Sequence, residues 1–166
     1  KNPNTIYGLH KHKTEQFFLD KYPSKSIILR MTKVIDQNFY LFREWINDYK
    51  MKKNICPFED YYFAPLYIDY VLLAIDELME LKKVGVHHIS PARQISYAKA
   101  SYILFKKLGF QRDHIKPKSC SSIGLNGKNI SLLLNSEYKL NKLNNISVYK
   151  SIETFVHKNI NLLDIK

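Results

Sequence analysis

A tyrosine and a lysine near the start of the chain have the spacing of an acid–base pair. Tyr7 and Lys11 lie four residues apart, and on a helix this spacing puts both side chains on one face, about 6 Å apart along the axis. A tyrosine hydroxyl can exchange a proton with a substrate oxygen, and a nearby ammonium group favours the tyrosinate form. The chemistry that needs such a pair is hydride transfer at an alcohol or a carbonyl.

The spacing alone does not single out this pair, because the chain is rich in both residue types. It contains three further Tyr-x-x-x-Lys pairs, at Tyr49/Lys53, Tyr102/Lys106 and Tyr138/Lys142. We interpret those three pairs as surface and packing residues. The sequence around Tyr7 must therefore distinguish the first pair from the others.

Helical and strand-like segments alternate along the first half of the chain and must position the pair. Residues 5–21 and 38–50 have apolar residues at helical spacing, and residues 26–32 contain the continuous apolar run of a strand buried on both faces. Residues 53–68 are rich in proline and aromatic residues, which predicts short strands and a loop. The alternation predicts an α/β first part and a mixed α+β second part.

Capping signals mark two later helices. Asp69 is the predicted N-cap of a helix over residues 70–83, with Gly85 as the C-cap glycine, and Ser96 is the predicted cap of a helix that ends at Gly109. The remaining predicted elements are a strand over residues 86–90, a polar loop over residues 114–128 and a second strand over residues 130–134. Two C-terminal helices are predicted over residues 136–143 and 147–158.

The composition indicates an ordinary globular domain with a basic surface. The chain has 166 residues, 45% of them apolar, and carries 26 basic and 15 acidic residues for a net charge of +11. Lysine outnumbers arginine by 22 to 4, whereas recognition of phosphates and bases favours arginine. No apolar run of about 18 residues is present. We therefore expect neither a nucleic acid nor a membrane as partner.

The cysteines and histidines give no sign of a metal site. Cys56 and Cys120 form no CxxC pair, so we predict free, buried or half-buried thiols in a reducing compartment, the cytoplasm. The six histidines have no cysteine or carboxylate neighbours at ligand spacing, so we predict structural roles and no metal. His87 and His88 lie in a strand-like run, where one should point inward and the other outward.

The residues around Tyr7 resemble the active-site helix of the extended short-chain dehydrogenases/reductases, and most closely that of the dTDP-4-dehydrorhamnose reductase group. In that family a proline stands four residues before the tyrosine, a glycine directly after it and a glutamate eight residues after it. Pro3, Gly8 and Glu15 occupy these positions. The strand that ends at Arg30 is similar to the family's next strand, and residues 63–69 and 85–90 resemble two later segments of the family.

This resemblance implies a fold, a cofactor and a substrate class. The fold would be the C-terminal part of a Rossmann-type doubly wound sheet, over residues 1–50, followed by a small mixed α+β substrate-binding lobe, over residues 51–166. The cofactor would be NAD or NADP, and the substrate a nucleotide-diphosphate sugar. The family's dimers imply a homodimer through the Tyr-x-x-x-Lys helix, with Phe17 and Phe18 either at that seam or in the core.

The resemblance also implies roles for the residues of the catalytic and cofactor sites. Tyr7 would be the catalytic acid–base group. Lys11 would bind the nicotinamide ribose and assist Tyr7. Thr32 and Lys33, which follow the strand, would line the nicotinamide pocket.

On the substrate side, the resemblance implies contacts from four residues. Lys33, Phe63 and Pro65 would face the nucleotide sugar, and Arg30 would either contact the substrate or anchor the end of its strand. For these residues plain packing is the alternative to ligand contact.

Two departures from the family pattern limit what the resemblance implies. None of the five glycines forms the Gly-rich turn that a dinucleotide needs after a strand, and the chain does not begin with methionine, so we expect the dinucleotide-binding half to lie elsewhere and this part to be inactive alone. The rhamnose-type reductases carry an aromatic residue where Lys33 stands, so reductase, epimerase and dehydratase reactions all stay open. A non-catalytic binding or regulatory relative and a basic nucleic-acid-binding module are the alternatives.

A missing half would also affect the stability of the chain. The strand over residues 26–32 should be central in a parallel sheet, and without upstream strands one of its edges is open and hydrophobic. We therefore expect the isolated chain to aggregate, to pair with another chain or to be only marginally stable.

Overall fold

The computed structural model describes residue 3, residues 5–124 and residues 146–160. In chain order its elements are α1 (Ile6–Lys21), β1 (Ile27–Met31), β2 (Val34–Ile35), α2 (Tyr40–Lys50), β3 (Tyr62–Phe63), β4 (Leu66–Tyr67), α3 (Ile68–Glu80), β5 (Gly85–Ile89), β6 (Ile95–Ser96), α4 (Tyr97–Leu108) and α5 (Val148–Asn159), with a short 3-10 helix (Cys120–Ile123) between α4 and α5. The predicted strand over residues 130–134 and the predicted helix over residues 136–143 lie outside the described residues.

The strands form short pairs that are mostly parallel. β1 runs parallel to β5, with Ile27 opposite Gly85, and β2 runs parallel to β4. β3 and β6 are antiparallel. Parallel pairs joined through helices confirm the predicted α/β class, that of a partial Rossmann-like fold.

Two apolar clusters hold these elements together. The larger cluster joins α2, α4 and α5, where the ring of Phe42 packs against Phe155 with their centroids 5.2 Å apart. The smaller cluster lies between β4, α3 and β5 and includes Leu66, Leu78 and Ile89. The division into residues 1–50 and 51–166 stays a prediction, and α2 shares its core with α4 and α5.

α1 and β1 are much less buried than the rest of the fold. No residue of α1 is buried, and the residues of β1 are half-buried or exposed. The prediction that this strand is buried on both faces is therefore wrong for the described chain. The physical reason is that β1 pairs with a single described neighbour, β5, so its apolar run lacks a second strand beside it.

Two predicted helix caps are also wrong. α3 begins at Ile68 after Tyr67, so Asp69 lies in the first turn, where its carboxylate forms an ion pair with Lys158 at 3.3 Å. Gly85 does not close this helix but begins β5. Lys82 takes the left-handed position instead, with φ of 47°, and its N–H donates to the Met79 carbonyl while that of Lys83 donates to Leu78.

Replacing Lys82 by glycine is expected to raise the free energy of unfolding by about 1 kcal/mol, because a side chain in the left-handed region is strained and glycine is not. Urea denaturation of the chain measures this change. Lys83→Gly is the matched control, since Lys83 lies one residue on and has no positive φ. We expect that control to be destabilised, and equal effects of the two substitutions would contradict the role of strain.

Within the described ranges, no helix has the combination of length and apolarity that crossing a membrane requires.

Candidate active site

The start of α1 is fixed by three of the residues that carry the resemblance. Thr5 is the N-cap, and its hydroxyl accepts a hydrogen bond of 3.0 Å from the N–H of Gly8. A Cβ on Gly8 would lie 3.0 Å from the Cβ of Pro3 and 3.1 Å from the Thr5 hydroxyl. Glycine is favoured here because a larger residue would press against Pro3 and the N-cap.

Tyr7 and Lys11 lie together on the surface of α1. The Lys11 ammonium lies 5.6 Å from the centre of the Tyr7 ring, and the tyrosine is 73% exposed. The lysine is therefore directed toward the tyrosine, and the phenol is open to solvent. This is the arrangement that proton exchange with an external substrate requires.

α1 and β1 run antiparallel, and this direction determines which end of β1 lies near Tyr7 and Lys11. The Ser26 hydroxyl at the start of β1 donates to the Phe18 carbonyl late in the helix, and Arg30 at the end of the strand meets Glu15 in its middle. Lys11 lies one helical turn further on, about 6 Å along the axis. The pair therefore lies toward the carboxyl end of β1, where parallel sheets bind their ligands.

Arg30 acts as an anchor between α1 and the sheet. Its guanidinium binds the Glu15 carboxylate through Nε, at 3.0 and 3.2 Å, and through Nη2, and its Nη1 lies 3.3 Å from Nε2 of His88 on β5. The hydrogen bond to Glu15 raises the pKa of Arg30 above its usual value. Of the two roles that the sequence left open for Arg30, the contacts correspond to the anchoring one.

His87 and His88 point in different directions, as predicted for neighbours on a strand. His87 is buried, and its Nε2 lies 3.0 Å from the Lys83 carbonyl. His88 is half-buried beside Arg30.

Beyond β1 the chain opens into an aromatic cleft with a volume of about 440 Å³. Its walls come from four separate segments, and the residues that line it are Lys33, Phe39, Tyr40, Leu41, Trp45, Cys56, Pro57, Phe58, Tyr61 and Tyr97. The Lys33 ammonium lies 5.5 Å from the centre of the Phe39 ring. Aromatic rings that stack on a base or a sugar, with one cation among them, suit a ligand that combines a flat group with negative charge.

Phe63 supports one wall of this cleft from behind. Phe63 is only 2% exposed and stacks on Tyr97, with centroids 4.2 Å apart and planes 11° apart. Pro65 is buried as well. Burial and then the neighbouring Tyr61 raise the pKa of Tyr97, so this phenol stays protonated at neutral pH and can donate a hydrogen bond. The burial of Phe63 and Pro65 agrees with a packing role, which the sequence had left open as the alternative to ligand contact.

Thr32 has an unusual environment at the end of β1. It is 8% exposed, its N–H donates to the Ile89 carbonyl at 3.3 Å, and its buried hydroxyl oxygen has no hydrogen-bond partner in the described structure. Burying an unpaired hydroxyl is unfavourable, and such groups often mark where a ligand binds. Its position next to Lys33 is compatible with the predicted cofactor contact.

Thr32→Val is expected to change stability and binding in opposite directions. Removing the unpaired hydroxyl should raise the free energy of unfolding by about 1 kcal/mol, whereas a ligand that uses this hydroxyl should bind more weakly. Urea denaturation measures the first effect and a ligand titration the second. Thr14→Val is a suitable control because that hydroxyl is exposed and bonded to the His10 carbonyl. A loss of stability in Thr32→Val would show that the hydroxyl has a partner in the folded chain.

Of the residues predicted for the catalytic and cofactor sites, Lys33 lines the described cleft. Tyr7 and Lys11 do not line it. Several cleft residues were not singled out from the sequence, notably Phe39, Tyr40 and Tyr97. The aromatic richness of residues 53–68 was a signal for the wall that contains Phe58 and Tyr61, but not for these three residues. The cysteine prediction is half right, because Cys120 is buried but Cys56 is exposed at the cleft.

Comparison of the chain with known proteins shows a likeness at the level of the fold. No family model and no curated protein matches the sequence. A dTDP-4-dehydrorhamnose reductase from Bacillus anthracis, solved with NADP, superposes with a TM-score of 0.75 at 20% identity. The same enzyme from Yersinia enterocolitica gives 0.76 at 18%, and a UDP-N-acetylglucosamine 4-epimerase from Methanobrevibacter ruminantium, solved with UDP-N-acetylmuramic acid, gives 0.69 at 15%.

These superpositions cover 95%, 94% and 97% of this chain, but only 57%, 57% and 55% of the reductases and the epimerase. The chain therefore spans little more than half of the length of these enzymes and aligns with roughly their C-terminal half. The fold that the resemblance implied is confirmed.

Proposed function

We propose that this chain is the substrate-binding half of an NAD(P)-dependent sugar-nucleotide oxidoreductase of the dTDP-4-dehydrorhamnose reductase type, acting in the cytoplasm. Its substrate is a nucleotide-diphosphate sugar, and it needs a dinucleotide-binding half to react. One observation carries the proposal. The exposed Tyr7–Lys11 pair lies toward the end of β1 beyond which Lys33 opens the aromatic cleft.

The reaction divides between the two groups of residues. The cleft holds the nucleotide and presents the sugar toward the end of β1. Tyr7 then exchanges a proton with the reacting sugar oxygen, and Lys11 stabilises the phenolate and binds the nicotinamide ribose. Thr32 and Lys33 line the nicotinamide, and Arg30 acts indirectly because it holds α1 against β1. Phe63 acts through the Tyr97 ring on which it stacks, and Pro65 acts as a buried packing residue.

The residues present suit only the nicotinamide end of the cofactor. Lys11 is accessible, and the unpartnered Thr32 hydroxyl offers a hydrogen bond at the carboxyl end of β1. The described glycines lie inside or at the ends of helices and at the start of β5, and none forms a cradle for a pyrophosphate. A bound nicotinamide would supply the hydride, and the pyrophosphate would be held by the other half.

Lys33 distinguishes this site from the rhamnose-type pattern, which has an aromatic residue there. An ammonium between the cleft and the predicted nicotinamide pocket favours a substrate with negative charge near the reacting sugar. Lys33 bears on the substrate and does not select among reductase, epimerase and dehydratase chemistry; the reductase reaction is proposed on the resemblance around Tyr7.

α1 is also the proposed dimer surface. Phe17 and Phe18 are exposed and pack edge to face on each other, with centroids 5.4 Å apart. Since no residue of α1 is buried in the described chain, the Phe17 ring is available to a second copy, whereas Phe18 also lines a groove beside β1.

The test of the proposed function is an assay for oxidation of reduced nicotinamide. The chain is joined to a dinucleotide-binding half of a reductase with this fold and supplied with NADPH and a dTDP-linked 4-keto sugar. We expect oxidation that depends on the sugar nucleotide. Binding of the sugar nucleotide without any oxidation, in a fusion that binds NADPH, would favour the non-catalytic relative.

A further inference from the structure

A second lysine lies beside the aromatic cleft and was not singled out by the sequence. The Lys118 ammonium lies 5.4 Å from the centre of the Phe58 ring, which lines one wall, as the Lys33 ammonium lies over Phe39 on another. Two ammonium groups therefore lie over rings that line one cleft, and of the two lysines Lys33 lines the cleft itself while Lys118 lies next to its wall. Such contacts are weak at exposed sites, and a phosphate forms stronger, charge-assisted hydrogen bonds with an ammonium.

The backbone holds Lys118 at this position. Its N–H donates to the Pro57 carbonyl at 3.1 Å, and its own carbonyl accepts from the N–H of Glu59, also at 3.1 Å. These two hydrogen bonds make Phe58 and Lys118 partners in an isolated parallel β-bridge. The Lys118 backbone is thus hydrogen-bonded on both sides to the segment that forms the cleft wall.

Two carboxylates near the cleft, those of Glu44 and Asp60, are bonded to partners other than these lysines. Glu44 accepts a hydrogen bond of 3.2 Å from the Tyr40 hydroxyl at the rim. Asp60 accepts from the Ser119 hydroxyl and from the N–H of Cys120, at 2.8 Å, and these bonds lower its pKa to about 2. Within the described residues, neither Lys33 nor Lys118 forms an ion pair with a carboxylate.

We propose that Lys118 is a phosphate-binding residue, and that it acts with Lys33 on the diphosphate of a nucleotide whose base stacks among the cleft aromatics. The inference rests on the proposed function and deepens it, because it names the described residues of this half that would hold the diphosphate. Binding of a nucleoside diphosphate then needs neither NAD(P) nor the dinucleotide-binding half.

Trp45 provides a direct measurement of binding. It is the single tryptophan of the chain and lines the cleft, so its fluorescence should change when a ligand enters. The chain is titrated with UDP, dTDP, uridine and inorganic pyrophosphate. We expect both diphosphates to bind more tightly than uridine, and to bind more weakly as salt is added.

Lys118→Gln is the decisive variant, and Lys116→Gln is its matched control, because Lys116 is an exposed lysine two residues away. We expect Lys118→Gln to weaken UDP binding about tenfold, the typical loss of one charge-assisted hydrogen bond, with uridine binding unchanged. Lys116→Gln should leave both unchanged. Circular dichroism confirms that each variant is folded.

Three outcomes would overturn the inference. If Lys118→Gln binds UDP as the unaltered chain does while Lys33→Gln does not, Lys118 has no role and the proposed function stands. If Lys116→Gln weakens binding as much as Lys118→Gln, the effect belongs to the basic surface in general. If neither diphosphate changes the fluorescence or competes with a labelled nucleotide, both the inference and the cleft's role in the proposed function are wrong.

Discussion

Tyr7→Phe is expected to lower the turnover of the joined protein by about 10²- to 10⁴-fold and to leave binding of the nucleotide sugar nearly unchanged. The substitution removes only the hydroxyl that exchanges a proton with the substrate, and general acid–base groups typically contribute this much. The Tyr7 side chain is largely exposed, so the fold should tolerate the change. The measurements are turnover from nicotinamide oxidation and binding from Trp45 fluorescence.

Tyr102→Phe is the matched control for this prediction. Tyr102 and Lys106 have the same spacing on a helix, but that tyrosine lies under Arg112, with the guanidinium 5.9 Å from the ring centre. We expect Tyr102→Phe and Lys106→Met to retain turnover, and Lys11→Met to lose it together with affinity for the nicotinamide cofactor. Retained turnover in Tyr7→Phe would exclude the acid–base role and show that another group exchanges the proton.

The isolated chain is expected to be unevenly stable, with α1 as its weakest element. Seven residues of α4 are buried and none of α1 is. A helix that lacks tertiary packing is marginal in water even at this length. In hydrogen exchange followed by mass spectrometry, the amides of α1 should therefore exchange at least about 100-fold faster than those of α4.

Adding the dinucleotide-binding half should slow exchange in α1 and β1 and leave α4 unaffected. An apolar groove of about 350 Å³ lies beside β1, lined in part by Phe18, Tyr22, Ile27 and Ile28, and offers the surface for that contact. Glu15→Gln should accelerate exchange in α1 further, because it breaks the ion pair with Arg30. Equal protection of α1 and α4 in the isolated chain, or a monodisperse monomer that melts in one cooperative step, would contradict this prediction.

Features fixed by neighbouring residues could be predicted from the sequence. Ser96 and Ser147 cap α4 and α5 with bonds to backbone N–H groups three residues on, and Gly109 closes α4 with φ of 72°. Each of these signals needs only the residues beside it. The Tyr7–Lys11 contact likewise follows from the helical repeat alone.

Features fixed by distant residues could not be predicted in the same way. Lys82 closes α3 because the chain must turn there to bring β5 beside β1, although Gly85 was the better local candidate. The aromatic cleft joins Phe39 to Tyr97 across almost sixty residues, and no periodicity marks them as neighbours. Nothing in the sequence distinguishes Lys118 from the other 21 lysines, and only its β-bridge to Phe58 shows that it lies next to the cleft wall.

The contacts of α1 with Arg30 and Ser26 lie at Glu15 and Phe18, so the helix extends beyond them toward Tyr7, with Glu15 as its pivot. Tyr7 lies eight residues from Glu15, about 12 Å along the helix axis, so a tilt of roughly 10° about that pivot would carry the phenol about 2 Å. Misplacing a reacting group by about 1 Å can cost 100-fold in rate. The partner that packs against the exposed face of α1 therefore determines the position of the Tyr7 hydroxyl, in addition to supplying the second reactant.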